Sequence, residues 1–205
     1  WSSDVCSSDL MLVAAAGREV RARNAELADA EALRIAEAIA VAAVRYFLIK
    51  FSRGKMIVFD MQEALNFEGE SGPYVQYAVV RANNIFQKLA QREHLDDAAL
   101  IRSLGDLSPA ELDGANGSHE LWGLVLDAAR LDEVVEQVVA TLEFSALAKF
   151  AFTLAQAFNA FYHKAPILNE ERDDVKRWRA AGIAYVRNQL TTALDLMGVT
   201  VPPRM

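Results

Sequence analysis

The sequence has little cysteine, histidine or proline for its length. Its single cysteine, Cys6, excludes a disulfide within the chain and favours a reducing compartment, so we expect a cytoplasmic protein. The three histidines, His94, His119 and His163, are far apart, and no pair has the i, i+4 spacing of a helical metal site. We therefore expect no metal site and ordinary surface positions for the three imidazoles.

The chain also lacks a long apolar run and an excess of positive charge. Its most apolar stretch, residues 35–49, contains Glu37 and Arg45 and is too short to span a bilayer, so no membrane contact is expected. The net charge of −7 at pH 7 excludes a protein whose whole surface binds nucleic acid. Any RNA contact must therefore be local.

The charge is distributed unevenly along the chain. Residues 93–143 contain twelve acidic side chains and only two basic ones, whereas residues 149–205 contain eight lysines or arginines against five acids. A basic segment of this kind suits an oriented contact with a polyanion. The acidic segment suits either a solvated face or a surface that contacts a basic protein partner.

Helical periodicity is what the sequence has in abundance. Pro73 suits the first turn of a helix, Pro166 ends one, and Gly198 suits the left-handed residue that closes the last helix. No glycine-rich phosphate loop and no alternating strand pattern is present, and residues 56–59 form at most a brief strand or an extended connector. We therefore predict an all-α helical bundle, with helices over 11–24, 29–51, 73–92, 145–164 and 173–198. Helical periodicity also resumes at residue 120 and again at residue 132, where Val134, Val135, Val138 and Leu142 mark a buried face.

The first ten residues differ from the rest because they repeat a Ser-Ser-Asp unit and have no clear helical or strand period. A secretory signal would need a basic start and an apolar centre, and neither is there. We interpret residues 1–10 as a leader that is foreign to the fold. Asp29 is predicted to cap the helix that follows.

The segment from Phe59 to Arg81 reads FDMQEALNFEGESGPYVQYAVVR. A glycine-containing loop that runs into a helix offers free N–H groups to an anion, and Tyr74 and Tyr77 supply rings able to stack on unpaired bases. Arg81, one turn after Tyr77, is placed to pair with a phosphate. Two half-buried core tyrosines would be the simpler interpretation of the rings alone.

As an ordered block, this segment closely resembles the arginyl-tRNA synthetase signature, in which FEG-x-[ST]-x-PY-x-QYA-x-x-R follows a Phe-Asp pair. The resemblance implies that residues 11–82 are the helical C-terminal end of a class I catalytic domain and that residues 83–205 are a DALR-type anticodon-binding domain. It also implies a loop and helix that respond to the acceptor end of the tRNA, formed by Asn66, Phe67, Glu68, Gly69, Tyr74, Gln76, Tyr77 and Arg81.

The end of the chain resembles the same family. LAQAFNAFYHKAPIL, residues 154–168, is similar to the family's anticodon-binding helix, and LDLMGVTVPPRM is similar to its closing helix and tail. The resemblance implies that Tyr162 and Met205 contact the anticodon, whereas Phe158 and Phe161 suit the aromatic core of a bundle. Residues 177–180 and Pro203 depart from the family's pattern, which weakens the transfer of individual basic contacts.

The function that the resemblance implies is ligation of L-arginine to its tRNA at the expense of ATP with Mg²⁺, in an enzyme that is monomeric and does not bind DNA. The two ATP-binding signatures of the family do not occur in these 205 residues. We therefore expect this chain to bind arginine tRNA without a catalytic residue, a metal or a cofactor of its own. The alternatives are a helical protein-interaction module and the anticodon domain of a related class I synthetase.

Overall fold

The computed structural model describes residues 2–93, 96–103 and 118–205, and the regular secondary structure within these ranges is helical. The predicted all-α fold is confirmed. Residues 56–59 are an extended connector, and Met56 and Val58 in it are 89% and 82% exposed. The helices are α1 (Ser2–Arg23), α2 (Asp29–Ile49), α3 (Met61–Ala64), α4 (Gly72–Glu93), α5 (Asp97–Ser103), α6 (Ser118–Ala129), α7 (Leu131–Thr141), α8 (Ser145–Lys164) and α9 (Asp173–Leu196).

Helices α1 and α2 form an antiparallel pair. Leu12, Ala16 and Val20, spaced by four residues, are the buried stripe of α1, and they face Ile35 and Ile39 of α2. Helix α1 begins at Ser2, before the start predicted at residue 11, so it includes part of the segment that we interpreted as a leader. A residue that extends an existing helix gains a backbone hydrogen bond without the cost of helix nucleation. A segment with weak periodicity can therefore continue a helix that has formed next to it.

Helix α2 is buried on more than one side, because it packs against both α1 and α4. Its second face joins the main core through Tyr46, whose hydroxyl donates a hydrogen bond of 3.0 Å to the carbonyl of Ala148 in α8. Burial, and next the nearby Glu70 carboxylate, raise the pKa of the Tyr46 hydroxyl, which therefore remains a donor. α2 thus links the α1 hairpin to the bundle.

The main core lies among α4, α6, α8 and α9. Helix α9 packs against the other three and against α5, and its Ile183 and Leu190 are fully buried beside Leu154 and Phe158 of α8. No helix in the described ranges is long and apolar enough to cross a membrane. The predicted domain boundary after residue 82 lies within α4, and the division into domains stays a prediction.

Several helix ends agree with the sequence. Gly198 has a left-handed φ of +68° directly after α9, and the N–H of Val199 donates to the carbonyl of Leu194, as the prediction required. Asp29, in contrast, does not cap α2: Ala28 precedes the helix, and Asp29 lies in the first turn, 2.9 Å from Arg21 in a salt bridge. An acid in the first turn still favours the helix through the helix dipole.

Candidate nucleic-acid interface

A cavity of about 600 Å³ opens where α1, α4, α8, the loop before α4 and the C-terminal tail meet. Cavities of about 300 to 1,000 Å³ are the usual size for binding a ligand. We call this cavity the aromatic pocket. It is lined by six of the residues predicted from the sequence and three others: Phe67, Glu68, Tyr74, Tyr77, Arg81 and Met205, with Arg23, Asn159 and His163.

Helical spacing explains why two walls of the pocket meet. Tyr74, Tyr77 and Arg81 follow the i, i+3, i+7 pattern and share one face of α4. Asn159 and His163, four residues apart on α8, face them. Because α4 and α8 pack against each other, the two polar stripes border one opening.

Hydrogen bonds join these walls. Arg81 Nη1 donates to Asn159 Oδ1 at 2.6 Å, and Asn159 Nδ2 donates to the Tyr74 hydroxyl at 3.1 Å. The Tyr74 ring packs at 5.2 Å, centroid to centroid, on Phe152 of α8. Arg81 also lies 4.8 Å above the centre of the Tyr77 ring, a cation–π distance. Asn159 therefore holds Arg81 and Tyr74 in one arrangement.

The loop before α4 is tied mainly to itself. Asn66 Oδ1 accepts a 2.8 Å hydrogen bond from the N–H of Glu68, and the Asn66 carbonyl accepts one from the Ser71 hydroxyl. The Ser71 hydroxyl in turn accepts from the N–H of Tyr74 at 3.2 Å, which connects the loop to the first turn of α4. Asn66 therefore shapes the loop, as does Gly69, where a Cβ would come within 2.9 Å of Asn66 Nδ2.

The pocket has a cationic character within an acidic chain. Arg81 has no carboxylate partner among the described residues, and Arg23 pairs with Glu19 only at 3.7 Å. The Arg23 guanidinium instead lies 4.2 Å above the centre of the Phe67 ring. Glu68 is the one carboxylate among the described lining residues. Rings beside guanidinium groups are what stacked bases and phosphates require.

Gln76 does not line the pocket, which corrects the prediction that placed it at the base of the site. It is fully buried, and its Nε2 donates to the carbonyls of Ala38 at 3.2 Å and Thr200 at 2.6 Å. One residue along a helix is a rotation of about 100°, so Gln76 points towards α2 when Tyr77 faces the pocket. Gln76 joins α2, α4 and the tail, and so it positions the tail that ends in Met205.

Tyr162 lies in a second cavity of about 230 Å³, directly beside the aromatic pocket. The two cavities share Tyr77 and Arg81. The Tyr162 ring is half-buried and stacks on Phe158, with the centroids 6.3 Å apart and the planes at 29°. Phe158 and Phe161 are buried, so their prediction as core residues is confirmed. The second cavity is lined by Tyr77, Arg81, Asn84, Ile85, Lys88, Tyr162 and Leu168.

The two predicted groups therefore form one continuous site. Tyr162 and Met205 had been placed at the anticodon, and the loop and start of α4 at the acceptor end of the tRNA. Cavities that share Tyr77 and Arg81 cannot contact opposite ends of an L-shaped tRNA at once. The two groups thus lie side by side in the fold, and the RNA contacts of each stay predictions.

Sequence reasoning missed Arg23 and Asn159 as pocket residues and treated His163 only as a surface histidine. His163 is exposed, but it also lines the pocket, whereas His94 lies outside the described residues. A signal for Asn159 and His163 was available, because both are in the same helix turns as Tyr162. Arg23 had no such signal, since nothing in the sequence places the end of α1 beside the loop.

Comparison with known proteins defines the class first. The sequence model described as the DALR anticodon binding domain matches residues 75–205, and the chain belongs to this family. A domain of this class implies tRNA binding. The members that the chain is similar to are arginyl-tRNA synthetases, as the sequence motifs had indicated. The arginine–tRNA ligase of Methanoregula boonei is 35% identical over 181 residues, which are 88% of this chain and 29% of that protein.

Solved structures agree with this assignment. The chain is similar to the arginyl-tRNA synthetase of Thermus thermophilus, with a TM-score of 0.75 and 29% identity over 95% of this chain and 32% of that one. The enzyme of Plasmodium falciparum shares the fold, with a TM-score of 0.81 at 19% identity over 98% of this chain and 33% of that one. The chain thus spans about 30% of the length of the relatives that it matches.

Proposed function

We propose that the aromatic pocket and the cavity beside Tyr162 together bind the anticodon loop of arginine tRNA. The observation that supports this most is the shared wall formed by Tyr77 and Arg81, which joins both groups of predicted residues into one site. Unpaired anticodon bases can stack on Tyr162 and on the pocket rings, while a phosphate pairs with Arg81. This proposal differs from the prediction, implied by the resemblance, that the loop residues respond to the acceptor end of the tRNA.

We propose further that the domain serves an enzyme which ligates L-arginine to this tRNA with ATP and Mg²⁺. The two ATP-binding signatures that the resemblance would require do not occur in these 205 residues. We therefore assign no catalytic step to this chain and expect tRNA binding without arginine activation. The proposal places the enzyme in the cytoplasm, as a monomer that does not bind DNA.

The test is a filter-binding titration with an arginine tRNA transcript and the variant Tyr162→Ala. Stacking on one ring contributes about 1 to 3 kcal/mol, so we expect the affinity to fall about 5- to 150-fold. Tyr185→Ala is the matched control, because Tyr185 is a 39% exposed tyrosine on α9 whose hydroxyl contacts only Gln189 at 2.9 Å. The control should bind like the unmodified chain.

Two further measurements address the alternatives. Affinity for arginine tRNA should fall as salt rises, because phosphate contacts release counterions. A transcript with the anticodon of another amino acid should bind more weakly, and preference for such a transcript would assign the chain to a related synthetase. If arginine tRNA binds no better than unrelated RNA, the proposed function is refuted. If the purified chain activates arginine, the expectation that it has no catalytic step is refuted.

A further inference from the structure

A third cavity, which shares no described lining residue with the other two, lies where the acidic segment packs against α8. A cavity of about 250 Å³ runs between α6 and α8. On both helices its lining follows the i, i+3, i+4, i+7 pattern, so each helix contributes one continuous stripe. These stripes are Glu120, Gly123, Leu124 and Asp127 on α6, and Ala157, Ala160, Phe161 and Lys164 on α8.

The floor of the groove is apolar and shallow. Leu124 and Phe161 are buried beneath it, and Gly123 and Ala160 leave the space above them open. A Cβ at Gly123 would have nothing within 4 Å, so packing within the described chain does not require glycine there. Glycine inside a helix costs about 0.5 to 1 kcal/mol relative to alanine. The small residues thus leave room for an external segment to approach the backbone.

Helix α6 also exposes large apolar side chains, on the face turned away from the groove. Trp122 is 57% exposed and Leu126 is 54% exposed, while Leu121 and Leu124 on the other side are buried in the core. A helix that is apolar on nearly all sides is normally covered on all of them. The described chain covers only one side of α6.

The charges around the groove indicate what would cover it. Glu120 and Asp127 stand on the α6 rim, and neither is paired with a basic side chain among the described residues. Lys164 stands on the opposite rim, on α8. On the neighbouring α7, Asp132 and Glu136 are exposed, but they do not line the groove. Phosphates would be repelled by this surface, whereas lysine and arginine side chains would be attracted.

We propose that the groove between α6 and α8 docks a basic amphipathic helix of a protein partner. The parallel stripes of two helices form the groove in which an apolar helix face can lie. The basic edge of that helix would face Glu120 and Asp127, and its far edge would pass Lys164. Asn159 and His163 point from a different face of α8, so the partner and an RNA can be bound at the same time. This proposal does not depend on the RNA-binding function.

The probe for this proposal is a helical peptide of about 18 residues, five turns, with leucine at i, i+3, i+4 and i+7, lysine on the flank that would face Glu120 and Asp127, and glutamine on the flank that would face Lys164. Its acidic twin has glutamate in place of each lysine. Binding is followed by fluorescence anisotropy of the labelled peptide with the full chain. Ala160→Leu fills the groove, and Ala140→Leu makes the same substitution at an exposed position of α7 outside the groove. The rim reversal is the double variant Glu120→Lys with Asp127→Lys, which changes the charge of the groove rim. Its control, the α7 reversal, is Asp132→Lys with Glu136→Lys, which makes the same change of charge on α7.

We expect the basic peptide to bind and the acidic twin not to bind. Ala160→Leu and the rim reversal should each weaken binding about tenfold or more, whereas Ala140→Leu and the α7 reversal should change it less than about threefold. Circular dichroism confirms that each variant is folded. Equal loss from both charge reversals would show a nonspecific electrostatic contact and overturn the proposal. If light scattering shows a dimer that dissociates in the Ala160→Leu variant, a second copy of the chain occupies the groove. This result also overturns the proposal.

Discussion

Replacing Asn159 with alanine tests how the aromatic pocket is organised. The side chain accepts a hydrogen bond from Arg81 at 2.6 Å and donates one to Tyr74 at 3.1 Å. A hydrogen bond to a charged group contributes about 1.5 to 3 kcal/mol and a neutral one about 0.5 to 1.5 kcal/mol. Since Asn159 is half-buried and water replaces part of both, we take the lower ends of these ranges. The variant should lose about 2 kcal/mol of stability, or about 4 to 8 °C in melting temperature.

The effect on RNA affinity has a separate cause. Without Asn159 the Arg81 side chain is free in the unbound protein, so ordering it on binding costs about 0.5 to 1.5 kcal/mol. RNA should therefore bind about 2- to 12-fold more weakly, because 1.4 kcal/mol is a tenfold change in affinity. The Arg81 charge is unchanged, so the slope of affinity against salt should be preserved.

The assay is a titration of an RNA hairpin that contains the arginine anticodon loop, at several salt concentrations. Tyr74→Phe is the matched control: it removes only the Tyr74 hydroxyl and leaves the Arg81 contact, so affinity should change less than about twofold. In an Arg81→Ala background, Asn159→Ala should have no further effect. A full additional loss in that background would refute the claim that Asn159 acts through Arg81.

Three further predictions concern the scaffold. Gly72→Ala should destabilise the chain by about 1 to 3 kcal/mol in a urea titration, because its Cβ would lie 2.2 Å from the Ala42 carbonyl oxygen; Gly123→Ala, with open space, should not destabilise it. Tyr46→Phe removes the 3.0 Å hydrogen bond to the Ala148 carbonyl, which keeps its partner within α8, and should cost about 0.5 to 1.5 kcal/mol in the same titration; equal stability would contradict this. The Arg172 N–H, and next the Arg179 guanidinium, hold the pKa of the Glu170 carboxyl below its ordinary 4.5. The resulting stability is present above pH 4.5 and is lost as the pH falls through the lowered pKa. In Glu170→Gln the free energy of unfolding should therefore fall less steeply as the pH is lowered below 4.5, and an unchanged pH dependence would contradict this.

The periodicity of the sequence predicted the helices better than it predicted which faces are buried. In α2 the three- and four-residue spacing of apolar side chains predicts one buried stripe that includes Leu33. Leu33 is 52% exposed instead, because α2 packs between α1 and α4 and its buried faces point in two directions. Leu142 was expected to be buried beside Val138. It is 56% exposed instead, because it has a left-handed φ of 56° and ends α7, so it leaves the helical register.

The sequence alone determined the helical class, most helix ends and the residue types of the RNA site. These depend on contacts within a few residues, such as the spacing of Tyr74, Tyr77 and Arg81 on α4 or the conformation of Gly198. The tertiary structure decided which of these residues meet. Arg81 is bonded to Asn159, 78 positions away, and Gln76 to Thr200, 124 positions away. Such contacts arise from the packing of whole helices, so only the folded chain joined the loop, α8 and the tail into a single site beside Tyr162.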